Sequence, residues 1–358
     1  MAKTNYIIPI FVPHKGCPHD CVFCNQKKIT GNIIEVTGID VEMRIEEYID
    51  SIEDIENKHV EVAFFGGSFT GIEKEKQKEL LSVAFAWKKR GIIQDIRIST
   101  RPDYIDESIM TFLKEYGVSI IELGVQSMDE EVLLQSTRGH VKQDVMNAVK
   151  TMKKFDVKIG LQMMIGLPSD TPEKSYYTAQ QIISLKPDFV RIYPTLVVKD
   201  TYLEKMYVKG DYEPLNVEGT VEILKKILLA FLKNNITVIR IGLQPTENIT
   251  MGNEVIAGPF HPSIRQLVET EIICDMLDFL FDQYNIRNLE NITLQANDKD
   301  MSSLAGHKRK NVDFIKKKYK IQKIKMTRNN DLLDRQILIQ TGLDEILYSI
   351  SQYIQDAI

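Results

Sequence analysis

Cys17, Cys21 and Cys24 fall within eight residues, in the run His14-Lys-Gly-Cys17-Pro-His-Asp-Cys21-Val-Phe-Cys24-Asn25. Three thiolates at C-x₃-C-x₂-C spacing can ligate three irons of a four-iron cluster, which such clusters normally bind through four cysteines. The fourth iron is then left without a ligand from this segment. An open coordination position is where a metal does chemistry rather than architecture. The spacing also leaves a zinc site open, because His14 or His19 can complete a Cys₃His set. Structural zinc sites, however, usually draw a second C-x₂-C pair from another segment, and the sequence has no such pair. A disulfide framework does not suit four cysteines of which three share one loop. The fourth, Cys274 in Glu271-Ile-Ile-Cys-Asp-Met-Leu-Asp-Phe-Leu, reads as a small buried hydrophobe on a helix.

A reactive centre needs a scaffold, and the pattern around the cysteines is one of short β-rich runs alternating with amphipathic helices. Strands are expected at 6–12, 60–65, 95–100, 119–126, 157–165, 189–194 and 238–243. Helices are expected at 41–55, 74–89, 107–115 and 218–233. Strand–helix alternation predicts an α/β fold with a parallel sheet, and six to seven βα units predict a partial or full parallel (βα) barrel. Arg97, Gln126, Arg191 and Arg240 interrupt strands that parallel sheets normally fill with Val, Ile and Leu. The unusual motifs follow successive strands: the cysteines, Gly66-Gly-Ser-Phe-Thr-Gly71, Ser99-Thr-Arg-Pro-Asp103, Gln126-Ser127, Gly166-Leu-Pro168, Tyr193-Pro-Thr195 and Gln244-Pro-Thr-Glu247. In a barrel all of these open on one face, where active sites lie.

The chain has 358 residues, 43% of them hydrophobic, and no apolar run of membrane-spanning length. The N-terminus lacks a signal peptide's apolar stretch. These features, with the free thiolates, predict a cytoplasmic protein that does not enter a membrane. Residues 1–250 are expected to form the barrel, 251–290 a connecting helical segment and 291–358 a small basic α+β C-terminal domain. Between Asn285 and Asn330 twelve Lys/Arg face four Asp/Glu, a net of +8 against −5 for the whole chain. This asymmetry, which includes Lys308, Arg309 and Lys310, is the pattern of a polyanion-binding surface. A solvated lysine-rich helix face is the simpler alternative.

At Pro13–Asn25 together with Gly66-Gly-Ser-Phe, the chain resembles the radical S-adenosylmethionine (SAM) superfamily. Thr100-Arg-Pro-Asp-Tyr104, Glu122-Leu-Gly-Val-Gln-Ser127, Thr137-Arg-Gly-His140 and Ala257-Gly-Pro-Phe-His-Pro262 look like the catalytic subunit of Elongator and its prokaryotic relatives. The resemblance implies a [4Fe-4S] cluster on Cys17, Cys21 and Cys24, with SAM on the open iron. It also implies SAM contacts from Gly66, Gly67, Ser68, Ser99, Gln126, Arg138, Gln162 and Gly166. Ser99 and Gln162 stand where relatives often carry Glu and Asp, so two ribose ligands lose their charge. Elongator catalytic subunits carry an acetyltransferase domain after the barrel, and the 358 residues read as a paralogue without one.

The activity implied is cleavage of SAM to a 5′-deoxyadenosyl radical for modification of RNA, with tRNA the leading substrate class. It calls for an electron donor and leaves room for a partner that supplies acyl transfer. Arg101, Arg191, Tyr193 and Arg240 are the expected substrate contacts, with Lys308, Arg309 and Lys310 for the RNA backbone. No catalytic side chain is assigned. Two other readings stay open: radical chemistry on a small anionic metabolite, as in coproporphyrinogen oxidases, and a non-enzymatic RNA-binding protein stabilised by a metal.

Overall fold

A computed structural model describes residues 4–12, 21–25, 36–243, 250–342 and 344–358. Cys17, His14, His19 and the 244–247 motif lie outside the described residues. Contacts divide the chain into two units, one of Met1–Asn216 with Ile236–Phe260 and one of Val217–Asn235 with His261–Ile358.

The first unit is built on seven parallel strands in chain order: β1 (Asn5–Val12), β2 (His59–Gly66), β3 (Asp95–Thr100), β4 (Val118–Gln126), β5 (Lys158–Ile165), β6 (Phe189–Pro194) and, after a two-residue strand β7 (Val197–Val198), β8 (Thr237–Ile241). All seven expected strands are present, β3 and β6 at the expected bounds and the others with ends moved by one or two residues. Alternation explains the two faces. Ile8, Ile10 and Val12 of β1, like Val60, Val62 and Phe64 of β2, are at most 4% exposed. Helices such as Gly38–Asp50, Lys74–Lys89 and Glu107–Glu115 pack against the strands. Their starts are fixed locally: Thr37 and Asp40 form a reciprocal capping box, and Asp106 accepts from the Ile109 N–H at 2.8 Å.

The sheet curls. Strands lie about 4.8 Å apart, so β2 and β6, four places apart, would be separated by roughly 19 Å in a flat sheet. Yet the Arg191 guanidinium of β6 sits 5.7 Å from the Phe65 ring of β2, and Arg97 of β3 lies 5.1 Å from the Phe189 ring of β6. Among the described residues β1 and β8 pair with nothing on their outer edges, so the barrel is partial.

The second unit holds a mixed four-stranded sheet in the order β11-β10-β12-β13, in which β10 (Asn291–Ala296) runs parallel to β11 (Lys323–Arg328). It runs antiparallel to β12 (Gln336–Thr341), which pairs antiparallel with β13 (Glu345–Ser349). The helix Ile264–Gln283, expected as a connecting segment, is this unit's core element. It buries Val268, Ile272, Ile273, Met276, Leu277, Leu280 and Phe281, and Tyr319 donates to its Asp278 carbonyl at 2.8 Å. The helix Val217–Lys233, expected inside the barrel's 1–250, also belongs here, tied by Lys225 to Asp275 at 2.8 Å. Cys274 is buried on the same helix as Asp275, and burial pushes its thiol up to about 11.

Candidate cofactor site

A cavity lies at the C-terminal ends of β2, β3 and β4, and the cysteine segment forms one side of it. Cys21, Phe23 and Cys24 line it, facing Gly66, Gly67 and Ser68 after β2. Ser99, Gly124, Gln126, Arg138 and Gln162 complete the wall. Nine residues named from the sequence thus converge on one space.

Its loop is held from three directions. The Val22 N–H donates to Ser136 O at 3.2 Å, the Val22 carbonyl accepts from the Leu203 N–H at 2.7 Å, and the Asn25 amide donates to Lys199 O at 3.0 Å. The Val22 side chain packs with Val197, Leu203, Tyr212 and Ala257. Ala257 ends the short strand β9 (Val255–Ala257), which pairs with β7. The Ala257-Gly-Pro-Phe-His-Pro262 motif therefore begins as a brace for the cysteine loop. Gly258 sits at φ +111, where a Cβ would lie 3.0 Å from Thr195 O, so only glycine closes the ribbon without strain.

Arg138 reaches into the site at 7% exposure, donating through Nη2 to Gly124 O at 2.7 Å and through Nη1 to Cys21 Sγ at 3.4 Å. Gly124 makes this possible: a Cβ there would stand 2.8 Å from Arg138 Nη2 and 3.1 Å from Gln126 Nε2. Gln126 itself adopts φ +66, a conformation that costs a non-glycine residue roughly 1 kcal/mol or more, at a break in the β4–β5 register. Three buried polar atoms around the cavity, Ser99 Oγ, Gln126 Oε1 and Arg138 Nε, have no hydrogen-bond partner among the described residues. Buried polar groups are normally satisfied, so their convergence fits a polar ligand. With two thiols beside them, the residues present suit both a cluster and a bound polar molecule.

Other residues named from the sequence are engaged within the protein itself. The close approach that Gly66 permits, at φ +104, is to the chain itself: a Cβ would lie 2.5 Å from Val12 O, which also accepts from the Gly67 N–H at 3.0 Å. Gly166 does not line the cavity. Its N–H donates to Asp170 at 2.8 Å and its carbonyl accepts from Tyr212 at 2.6 Å. Arg101 is 1% exposed, with its fork on Asp103 at 2.9 and 3.0 Å. Arg191 is committed to Glu122, with Nε 2.7 Å from Oε2 and Nη2 3.1 Å from Oε1. Gln162 lines the cavity but spends one amide hydrogen on Glu122 at 2.8 Å. Arg240 donates to Gly242 O at 3.1 Å and Tyr193 lies against Arg191, its phenol pushed up by burial.

Sequence reasoning missed the hub of this network. Glu122 is completely buried and also pairs with Arg97, which reaches Glu61 at 2.6 Å. It gave no role to His140 either, whose pKa falls to about 3 because burial, with Arg138 and Arg101 nearby, disfavours its charge. The neutral ring lies 3.2 Å from Val125 O through Nε2.

In the second unit Lys308 and Arg309 are exposed on left-handed backbone, φ +49 and +66, where the chain enters the helix Lys310–Tyr319. Lys310 meets Glu271 at 2.6 Å and Lys318 meets Asp278 at 2.6 Å, so part of the basic segment is neutralised within the fold. No helix among the described residues is long and apolar enough to cross a membrane.

Among known proteins, an uncharacterized protein of Methanocaldococcus jannaschii is 33% identical over 215 residues, 56% of this chain and 64% of that one. The tRNA uridine(34) acetyltransferase of the same organism is 25% identical over 258 residues, 61% of this chain and 47% of that one. The chain thus spans about half that relative's length. Elongator complex protein 3 of Saccharomyces cerevisiae is 27% identical over 190 residues, 47% of this chain and 34% of that one. The solved structure of archaeal Methanocaldococcus infernus Elp3 with an N-terminal deletion has the same fold, with a TM-score of 0.58 at 20% identity over 80% of this chain and 65% of that one. The radical SAM superfamily model matches residues 11–181, from the first strand through the cysteine segment and the cavity, and the radical SAM C-terminal domain model matches 187–274. Members of that superfamily are enzymes, and the two matches follow one another along the sequence as the two parts of a single design: the chain belongs to the radical SAM superfamily.

Proposed function

We propose that this chain is a radical SAM enzyme acting on RNA, with a [4Fe-4S] cluster on Cys17, Cys21 and Cys24 and SAM in the adjoining cavity. The convergence of unpartnered Ser99 Oγ, Gln126 Oε1 and Arg138 Nε on the cysteine loop carries this reading. When bound, the cluster and SAM together supply a 5′-deoxyadenosyl radical able to take a hydrogen atom from substrate. The protein's own residues do the rest. Arg138 lies against Cys21 Sγ and offers Nε to a carboxylate. Gln126 and Ser99 bond the ligand's polar groups, and Ser68 closes the wall. Tyr212 holds the Gly166 carbonyl while its ring packs on the cysteine loop, which ties the Gly166-Leu-Pro168 turn to the metal segment. Tyr212→Phe keeps the ring and drops one hydrogen bond. It should leave iron loading unchanged and weaken SAM binding about fivefold, read by calorimetry.

RNA as substrate rests on the relatives whose names specify a tRNA uridine and on the basic segment 285–330. An electron donor, a partner for any acyl transfer and a reducing, cytoplasmic setting belong to the same proposal. Neutralising Lys308, Arg309 and Lys310 together should weaken RNA binding and lower its salt slope by about 0.9 for each phosphate left unneutralised. Lys310 can leave Glu271 for a phosphate because an exposed pair stabilises by only about 0–1 kcal/mol. An unchanged slope would sink the docking role. The decisive test of the whole reading is anaerobic reconstitution with iron and sulfide, followed by SAM and dithionite. 5′-Deoxyadenosine is the expected product, whereas retained zinc with no product overturns the proposal.

A further inference from the structure

Resting on that reading, we propose that His140 is a positioning residue for the cofactor site: its imidazole holds the Val125 carbonyl and so keeps Gln126 turned into the cavity. β4 departs from a regular strand at this point. Gly124 pairs with Gln162 of β5 and Gln126 with the very next residue, Met163, so Val125 is an extra residue without a register partner on β5. This is a β-bulge, rare between parallel strands, common beside active sites and able to re-aim a side chain. Val125 O accepts from the Ser127 N–H at 2.9 Å, closing a three-residue turn around Gln126 at φ +66. Such a turn is rare and strained for a residue that carries a side chain. Gln126 gains no hydrogen bond for its buried Oε1 in return among the described residues.

The Thr137–His140 loop holds this turn in place. Thr137 and Gly139 have φ of +51 and +77, which folds the loop back toward the strand end. Arg138 Nη2 then donates to Gly124 O at 2.7 Å and His140 Nε2 to Val125 O at 3.2 Å, so two side chains take two successive carbonyls. A carbonyl only accepts, so Nε2 carries the proton and Nδ1 is a bare acceptor. That Nδ1 is buried with no hydrogen-bond partner among the described residues. The ring is 3% exposed, and burial with Arg138 and Arg101 nearby keeps it neutral. A side chain that only filled this space would be apolar, because an unsatisfied buried acceptor costs free energy. Nor is the imidazole needed to satisfy Val125 O, which Ser127 already does. What the bond does is hold a conformation. One buried hydrogen bond is comparable in size to the strain of one left-handed residue, enough to decide which conformer Gln126 keeps.

The test is a double-mutant cycle on the full chain with its reconstituted cluster, read as SAM affinity by calorimetry, with iron content and thermal unfolding alongside. His140→Phe keeps a ring and drops the donor; SAM affinity should fall about tenfold at unchanged iron content. His140→Asn, too short to reach Val125 O, should match it. His140→Gln, whose amide can take the place of Nε2–H, should recover most of the loss. In a Gln126→Ala background the same His140→Phe change should cost less than about twofold, because its effect passes through the glutamine. An equal loss in both backgrounds, or an affinity unmoved by both His140→Phe and His140→Asn, overturns the positioning role. Backbone hydrogen exchange of residues 124–128 in the cofactor-free chain supplies a readout independent of SAM. It should be faster in His140→Phe and restored in His140→Gln, and unchanged exchange overturns the clamp. Failure of the radical reading registers separately, as a wild-type chain that forms no 5′-deoxyadenosine while the exchange difference stands.

Discussion

Cys21→Ala is expected to abolish cluster assembly and 5′-deoxyadenosine formation while the chain stays folded. Three thiolates are the fewest that hold a four-iron cluster with one open corner, so a site reduced to two is expected to lose its iron altogether. The fold does not depend on that sulfur. The loop is anchored by the Val22 backbone and by Val22's packing on Val197, Leu203 and Ala257, none of which the substitution touches. Arg138 gives up its sulfur partner at 3.4 Å but keeps Gly124 O at 2.7 Å, so a stability change of about 1 kcal/mol or less is expected. Iron content, the visible cluster absorbance and thermal unfolding measured together separate the outcomes. Cys274→Ala is the control, since that thiol is buried in the second unit, pushed up to about 11 and unsuited to a metal. RNA binding by the Cys21 variant should persist, because the basic segment lies in the other unit. Product formation at the wild-type rate would remove the cluster from the mechanism.

The barrel was legible because its outer faces are written in apolar alternation. In β5, Ile159, Leu161, Met163 and Ile165 repeat every second residue and are all at most 4% exposed. The cavity was legible for a different reason: strand order places every C-terminal turn on one rim, so motifs far apart in sequence had to meet. What the arginines do there was not legible. Arg97 and Arg191 stood out as charges in strands, but their common partner Glu122 lies 25 and 69 residues away, and no local pattern announces such a pairing. Arg101 finds Asp103 two residues on, inside a motif that reads equally well as a binding loop. β7 and β9 are too short to leave a periodic signal. The helix Val217–Lys233 interrupts the first unit between β6 and β8 and packs in the second, an excursion that amphipathicity alone does not reveal.

Glu122→Ala should destabilise the protein by about 3–5 kcal/mol, the usual cost of leaving a buried ion without its partner. Glu122 is fully buried and receives Arg97, Arg191 and Gln162 at once. Its loss leaves Arg97 with Glu61, but strands the Arg191 guanidinium and one Gln162 amide hydrogen inside the sheet. Glu122→Gln keeps the shape and one acceptor oxygen and should fall between. The instructive comparison is Glu122→Leu combined with Arg191→Met, since removing both members of a buried pair is often neutral or stabilising. That double variant should regain most of the stability in chemical denaturation. It should still bind SAM poorly, because Gln162 no longer has the carboxylate that aims it across the cavity. A single Glu122→Ala variant with an unchanged midpoint would mean that the arginines find other partners, and that the network orders the sheet without holding it together.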